Sequence, residues 1–203
     1  MRGGPASKTP GLDGWVSYRV ENRWPSGLAA NILKVRMLVG LTPEAEAALW
    51  RYLLDMDLAG TVKLVDRPVD DPVRWRLADP RRLRVTDVGD QLWLRLLDLP
   101  GALAARRYAV EGELVLEVTD AQRPRNQGRF RLQGGPDGAT CEPTTAGPDL
   151  GLDVADLGAA YLGGASLASL ARAERVTELT PGALLQADRM FAAHPPPICT
   201  THF

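Results

Sequence analysis

The sequence predicts an α+β fold made of two successive sheet-and-helix units, and three observations lead there. Short apolar runs of period two recur along the chain, as strands require. Helix starts of the Thr/Asp/Ser-cap type fall between or after them. Composition also changes near residue 89, from Arg/Trp-rich before it to Ala/Gly/Leu-rich after it.

Residues 1–12 are Gly/Pro-rich and read as a disordered N-terminal coil. Trp15–Val20 alternates as a strand, Trp24-Pro25-Ser26-Gly27 has turn chemistry, and Asn31–Leu41 returns as a second strand. Thr42-Pro43-Glu44 then opens a helix: a threonine cap, a proline whose missing N–H costs nothing at N1, and an acid at the positive end of the dipole. Ala45, Leu49, Tyr52, Leu53 and Met56 form its apolar stripe. Thr61–Val65 reads as a third strand, and Asp71-Pro72 and Asp79-Pro80 as starts of short helical turns. Residues 13–88 thus make half of a mixed α/β layer, with few strands to cover its helix and with open edges.

The second unit, residues 89–203, begins at Asp90–Leu103. Leu92, Leu94 and Leu96 share one face against Gln91, Trp93 and Arg95, which predicts a strand, and Asp98 caps a helix over 99–107. Strands follow at 114–118, 128–132, 140–144 and 150–154, with a turn at Gly134–Gly138. The chain then turns helical: Asp153 caps a helix through Leu162 that stops at Gly163-Gly164, Ser166 caps a short one, and Thr180-Pro181 opens the last. The tail from His194 carries three consecutive prolines and is expected to run extended. The unit reads as a sheet with helices against one face.

Chemistry is sparse. The net charge is −1 with dispersed Lys and Arg, which argues against a nucleic-acid partner, and no apolar run is long enough for a transmembrane segment. No secretory leader pattern opens the chain, and the two cysteines match no metal spacing, so a cytoplasmic, reducing location is expected and both thiols read as small buried groups. The histidines are His194 and His202, with no Gly-x-Ser-x-Gly elbow to support a triad and no ligand pair to join Cys199 and His202 at a metal. The glycine clusters read as a turn and a helix cap rather than phosphate loops, and neither a Walker nor a dinucleotide fingerprint occurs. Asp70-Asp71 and Asp153/Asp156 read as caps, and Arg81-Arg82-x-Arg84 as a solvated face. No self-sufficient active site is visible.

Long segments, in order, nevertheless resemble one family. They are Leu41–Leu53, Asp70–Trp75, Asp79-Pro80-Arg81, Leu92–Pro100, Leu114–Asp120, Asp153–Gly158, Tyr161–Gly164 and the tail ending in Phe203. From about Asp13 onward the chain resembles the C-terminal half of the Eis-type GNAT N-acetyltransferases. The resemblance implies a partial central GNAT-like layer at 13–88 and a sterol-carrier-protein-like domain at 89–203. It implies transfer of acetyl from acetyl-CoA to the amine of a lysine or an aminoglycoside, in a homo-oligomer. The acetyl-CoA-binding domain, with its pyrophosphate loop and tyrosine acid, has no counterpart here. The expectation is therefore a truncated portion with no cofactor of its own, inactive alone. By the same resemblance the terminal carboxylate of Phe203 acts as base for the attacking amine, and His202, where relatives carry an acid or small aromatic, bears on substrate preference. Trp93 either lines the substrate pocket or is a core tryptophan. The alternatives are a sterol-carrier-like module holding lipid in an apolar cavity, or an oligomerisation fragment without catalysis.

Overall fold

The computed structural model describes residues 12–200. The N-terminal coil, apart from its last residue, lies outside the described residues, and so do His202 and Phe203. The chain divides between Val88 and Gly89 into two compact units.

In the first unit, β1 (Gly14–Glu21) runs antiparallel to β2 (Asn31–Gly40), with a register shift at Ser17/Tyr18. The helix α1 (Pro43–Leu54) then crosses over to β3 (Ala59–Leu64), which lies parallel to β2, giving the order β1-β2-β3. Thr42 caps α1 as its sequence demands: Oγ1 accepts from the Ala45 amide at 3.1 Å. The core joins Leu33, Val35 and Leu38 of β2 to Trp50 and Leu53 of α1 and to Val73 of the four-residue helix α2 (Val73–Arg76). Tyr52, assigned to the apolar stripe, faces outward instead, and Trp50 takes the buried place. Met56 lies beyond the helix end but still packs against this core. Both β1 and β3 keep an open edge among the described residues.

Second-unit helix α3 (Leu99–Ala105) precedes β4 (Gly112–Thr119), β5 (Gly128–Gly135), β6 (Gly138–Pro143) and β7 (Leu150–Asp153). Helices α4 (Val154–Tyr161) and α5 (Leu167–Arg172), strand β8 (Val176–Glu178) and helix α6 (Ala183–Phe191) complete it. The sheet order is β6-β5-β4-β7-β8, antiparallel except for the parallel β4–β7 pair. Alternation decides its faces. Leu114, Leu116 and Val118 of β4 join Phe130 and Leu132 of β5 in the core, with Leu99, Leu103, Leu157, Met190 and Phe191 from the helices. The other face is polar, with Glu117 paired to Arg129 at 2.8 Å across the ladder. These core side chains pack on one another on the inward face.

Three expectations need correction. Gln91–Leu97 forms no strand. Its alternation survives in part, with Leu94 partly buried and Leu96 3 % exposed, but the flanks of β4 and β5 are already taken. Its backbone is met instead by a side chain, since Asn126 Nδ2 donates to the Leu96 carbonyl at 3.1 Å. The last helix starts at Ala183 rather than at Thr180-Pro181: Gly182 sits at φ 90°, and Glu178 Oε1 accepts from the Gly182 and Leu184 amides at 3.0 Å each. Asp156 is no cap; it is buried and takes a charge-assisted bond from Arg175. The three-residue β8 has no counterpart in the sequence reading, being too short to show a period.

Candidate functional site

Of the residues assigned to a site from sequence, only Trp93 lies among those described. It is 86 % exposed on the extended segment before α3, so it is not a core tryptophan. What holds that segment is a polar cluster that the sequence did not announce. Asp120 is buried and accepts from Arg95 at 2.6 Å, from the Gln122 and Arg123 amides at 3.0 Å each, and from Asn126 Nδ2 at 3.0 Å. Burial alone would raise the Asp120 pKa; the bonds from Asn126 and the two amides, with the Arg95 charge, outweigh it and keep the carboxyl below its usual range. Asn126, itself 1 % exposed, also accepts from the Leu99 amide at 3.1 Å, closing the first turn of α3. A groove of about 540 Å³ lies beside the cluster, lined by Arg95, Leu97, Gln122, Arg123, Pro124 and Arg125.

The second feature is where the tail leaves the sheet unit. Arg106 follows α3 and lies over three aromatic rings, with its guanidinium carbon 4.5 Å from the Tyr108 centroid, 4.7 Å from Phe191 and 5.6 Å from Tyr161. It donates to the Tyr161 carbonyl, at the end of α4, and to the Phe191 carbonyl at 3.3 Å, at the end of α6. A cation thus meets the negative ends of two helices at once. Burial lowers the Arg106 pKa, and the two tyrosines offset part of that effect. In sequence, Arg106-Arg107 looks like surface charge; only the packing sets its role.

An acetyl-CoA pyrophosphate needs a row of free amides at a helix start. Among the described residues each of the six helices has at least one first-turn amide bonded to an oxygen of the chain's own side chains. Thr42 closes α1, Asp71 α2, Asp98 and Asn126 α3, Asp153 α4, Ser166 and Asp188 α5, and Glu178 α6. Five of these closures bring a carboxylate, which repels a polyphosphate.

The acetyltransferase (GNAT) domain family matches residues 5–96, and the sterol carrier protein domain family matches residues 99–200. An N-acetyltransferase of Streptomyces coelicolor is 44% identical over 182 residues, 90% of this chain and 44% of that protein. The N-acetyltransferase Eis of Mycobacterium tuberculosis is 36% identical over 187 residues, 91% of this chain and 44% of its own length. The crystal structure of Eis1 from Mycobacterium abscessus superposes with a TM-score of 0.81 at 39% identity, covering 94% of this chain and 48% of that one. The chain thus spans about half the length of these relatives. With a GNAT match followed by a sterol carrier protein domain, and with this fold, the chain belongs to the Eis-like GNAT N-acetyltransferases.

Proposed function

We propose that this chain supplies the C-terminal portion of an N-acetyltransferase acting on a primary amine, of a lysine side chain or an aminoglycoside. What supports this reading is the match to an acetyltransferase (GNAT) domain followed by a sterol carrier protein domain, in a chain that spans about half the length of its relatives. In this reading acetyl-CoA is held by the remaining half of the enzyme, and this portion serves the amine. Its contribution is the terminal carboxylate of Phe203. A free α-carboxyl titrates near 3.3–3.7, about four units too low for an efficient base at neutral pH. Desolvation in a closed cleft raises it, and even ionised it attracts and orients a substrate ammonium. In this reading His202 and the exposed Trp93 are the groups that set selectivity for the amine.

We also place the chain in a homo-oligomer. Exposed aromatics support that reading: Trp24 and Trp75 in the first unit and Trp93 in the second, each more costly to leave in water than to bury. Two cysteines that form no disulfide fit a cytoplasmic setting. No described helix is long and apolar enough to cross a membrane.

The test has two arms. The chain alone, incubated with acetyl-CoA and tobramycin or a lysine peptide, should give no acetylated product by mass spectrometry. Product above a heat-denatured control overturns the reading. Fused behind the remaining half of the Streptomyces coelicolor relative, it should give product. Removal of Phe203 alone should then cost a large part of kcat; full activity without Phe203 refutes the carboxylate role.

A further inference from the structure

The glycine pair Gly163-Gly164 does more than stop α4. At φ 81°, Gly163 takes a conformation that suits glycine, as a left-handed cap should. Yet a Cβ there would also stand 2.6 Å from the Phe191 carbonyl oxygen, 2.6 Å from the Ala193 Cβ and 2.7 Å from the Ala193 nitrogen. Gly164 has an ordinary backbone and is exposed, so its own turn does not require glycine. A Cβ on it would lie 3.1 Å from the Pro197 Cγ and 3.7 Å from the Pro197 Cδ. Both glycines are therefore small because the C-terminal tail crosses them, first at Phe191–Ala193 and again at Pro197. Arg106 ties the same crossing from below, bonding the α4 end and the α6 end through Tyr161 and Phe191. Tyr108 braces Phe191 edge-on at 5.2 Å.

We propose that Gly163, Gly164 and Arg106 form a seat that fixes the course of residues 192–197, and that they thereby act as positioning residues for the terminal carboxylate. The seat itself rests on the contacts above; its link to chemistry rests on the carboxylate role assigned to Phe203. A carboxylate at the end of a free tail samples a large volume, whereas one tethered six residues away at Pro197 samples a small one. The seat shortens the tether between the packed unit and the terminal base and so raises the local concentration of that base.

Gly164→Val tests it with little risk to the fold, because that backbone is in an ordinary region and the only crowding lies toward Pro197. The chain carries its own reporters: Cys199 is half-buried on the tail, and Cys141 is buried in β6. Displacing the tail should speed iodoacetamide labelling of Cys199 about tenfold, the factor that about 1.4 kcal/mol of docking free energy is worth. Cys141 labelling should stay unchanged, and the melting temperature should fall by no more than a few degrees. Pro197→Ala added to Gly164→Val removes the ring that clashes and should restore slow labelling. If Cys141 also labels in Gly164→Val, the smaller Gly164→Ala carries the test with the same expectation. Unchanged Cys199 labelling in a folded variant overturns the seat. In the fused enzyme, Gly164→Val should lower kcat and leave the KM for acetyl-CoA alone. Faster Cys199 labelling with kcat intact keeps the seat and refutes the carboxylate reading, so the two ideas fail separately.

Discussion

Replacing Asn126 with alanine removes three hydrogen bonds at once from the segment that leads into α3. The Leu96 carbonyl loses its donor, the Leu99 amide its acceptor, and Asp120 one of its four donors. The site is closed to water, with Asn126 1 % exposed, so the stranded groups are not rehydrated without rearrangement. A buried polar group left unpaired costs about 1–3 kcal/mol. Partial relaxation of the exposed flank at Leu97 reduces the sum, and we expect a net loss of about 3 kcal/mol. For a unit of this size that lowers Tm by roughly 10 °C. Far-UV circular dichroism in urea and on heating, read with hydrogen exchange of β4 and β5, measures it. Asn126→Asp sharpens the argument through pH. It keeps the acceptor for Leu99 but sets a second carboxyl beside Asp120, so the upper pKa of the pair rises. A group with a raised folded-state pKa stabilises fully below its unfolded value and loses that contribution as pH climbs through the folded one. The Asn126→Asp deficit should therefore be largest at pH 7.5 and shrink toward pH 5, by about 1.4 kcal/mol for each pH unit between 5 and that upper pKa. Wild-type Asp120, whose pKa is lowered, contributes no such slope there, because its stabilisation is lost only as pH falls through its folded value. A loss below about 1 kcal/mol for Asn126→Ala, or an Asn126→Asp deficit flat between pH 5 and 7.5, refutes the account.

In the first unit, Arg67 bonds to both Glu46 of α1 and Asp71 ahead of α2, with all three side chains less than a quarter exposed. Arg67→Met strands both acids and should destabilise that unit by about 2 kcal/mol, between the surface and buried limits for ion pairs, as read by Trp50 fluorescence. Gly40→Ala puts a Cβ 2.6 Å from the Glu46 nitrogen and 2.7 Å from its Cα, where β2 runs into α1; the backbone cannot yield cheaply, and a loss of about 2–3 kcal/mol in urea titration is expected. Thr42→Ala removes the α1 cap and should cost about 1 kcal/mol by the same titration. Burial pushes the Cys141 thiol up to about 11, so native alkylation at pH 8 should modify Cys199 first and reach Cys141 only on unfolding.

What was legible in advance is what depends on near neighbours in the chain. The caps at Thr42, Asp98, Asp153 and Ser166 each close a loop of two or three residues, and the apolar alternation of β4 and β5 is a property of consecutive residues. The alternation at Leu92–Leu96 was equally clear and still made no strand, because a strand needs a partner and sequence periodicity names none. Tertiary structure alone decided the rest. Asn126 reaches Leu96 across 30 residues, Arg106 reaches Tyr161 across 55 and Phe191 across 85, and Gly164 is small for the sake of Pro197. Local pattern fixes which way a side chain points, but which distant group meets it is settled only when the chain closes, since such long-range contacts repay their loop-closure entropy together or not at all.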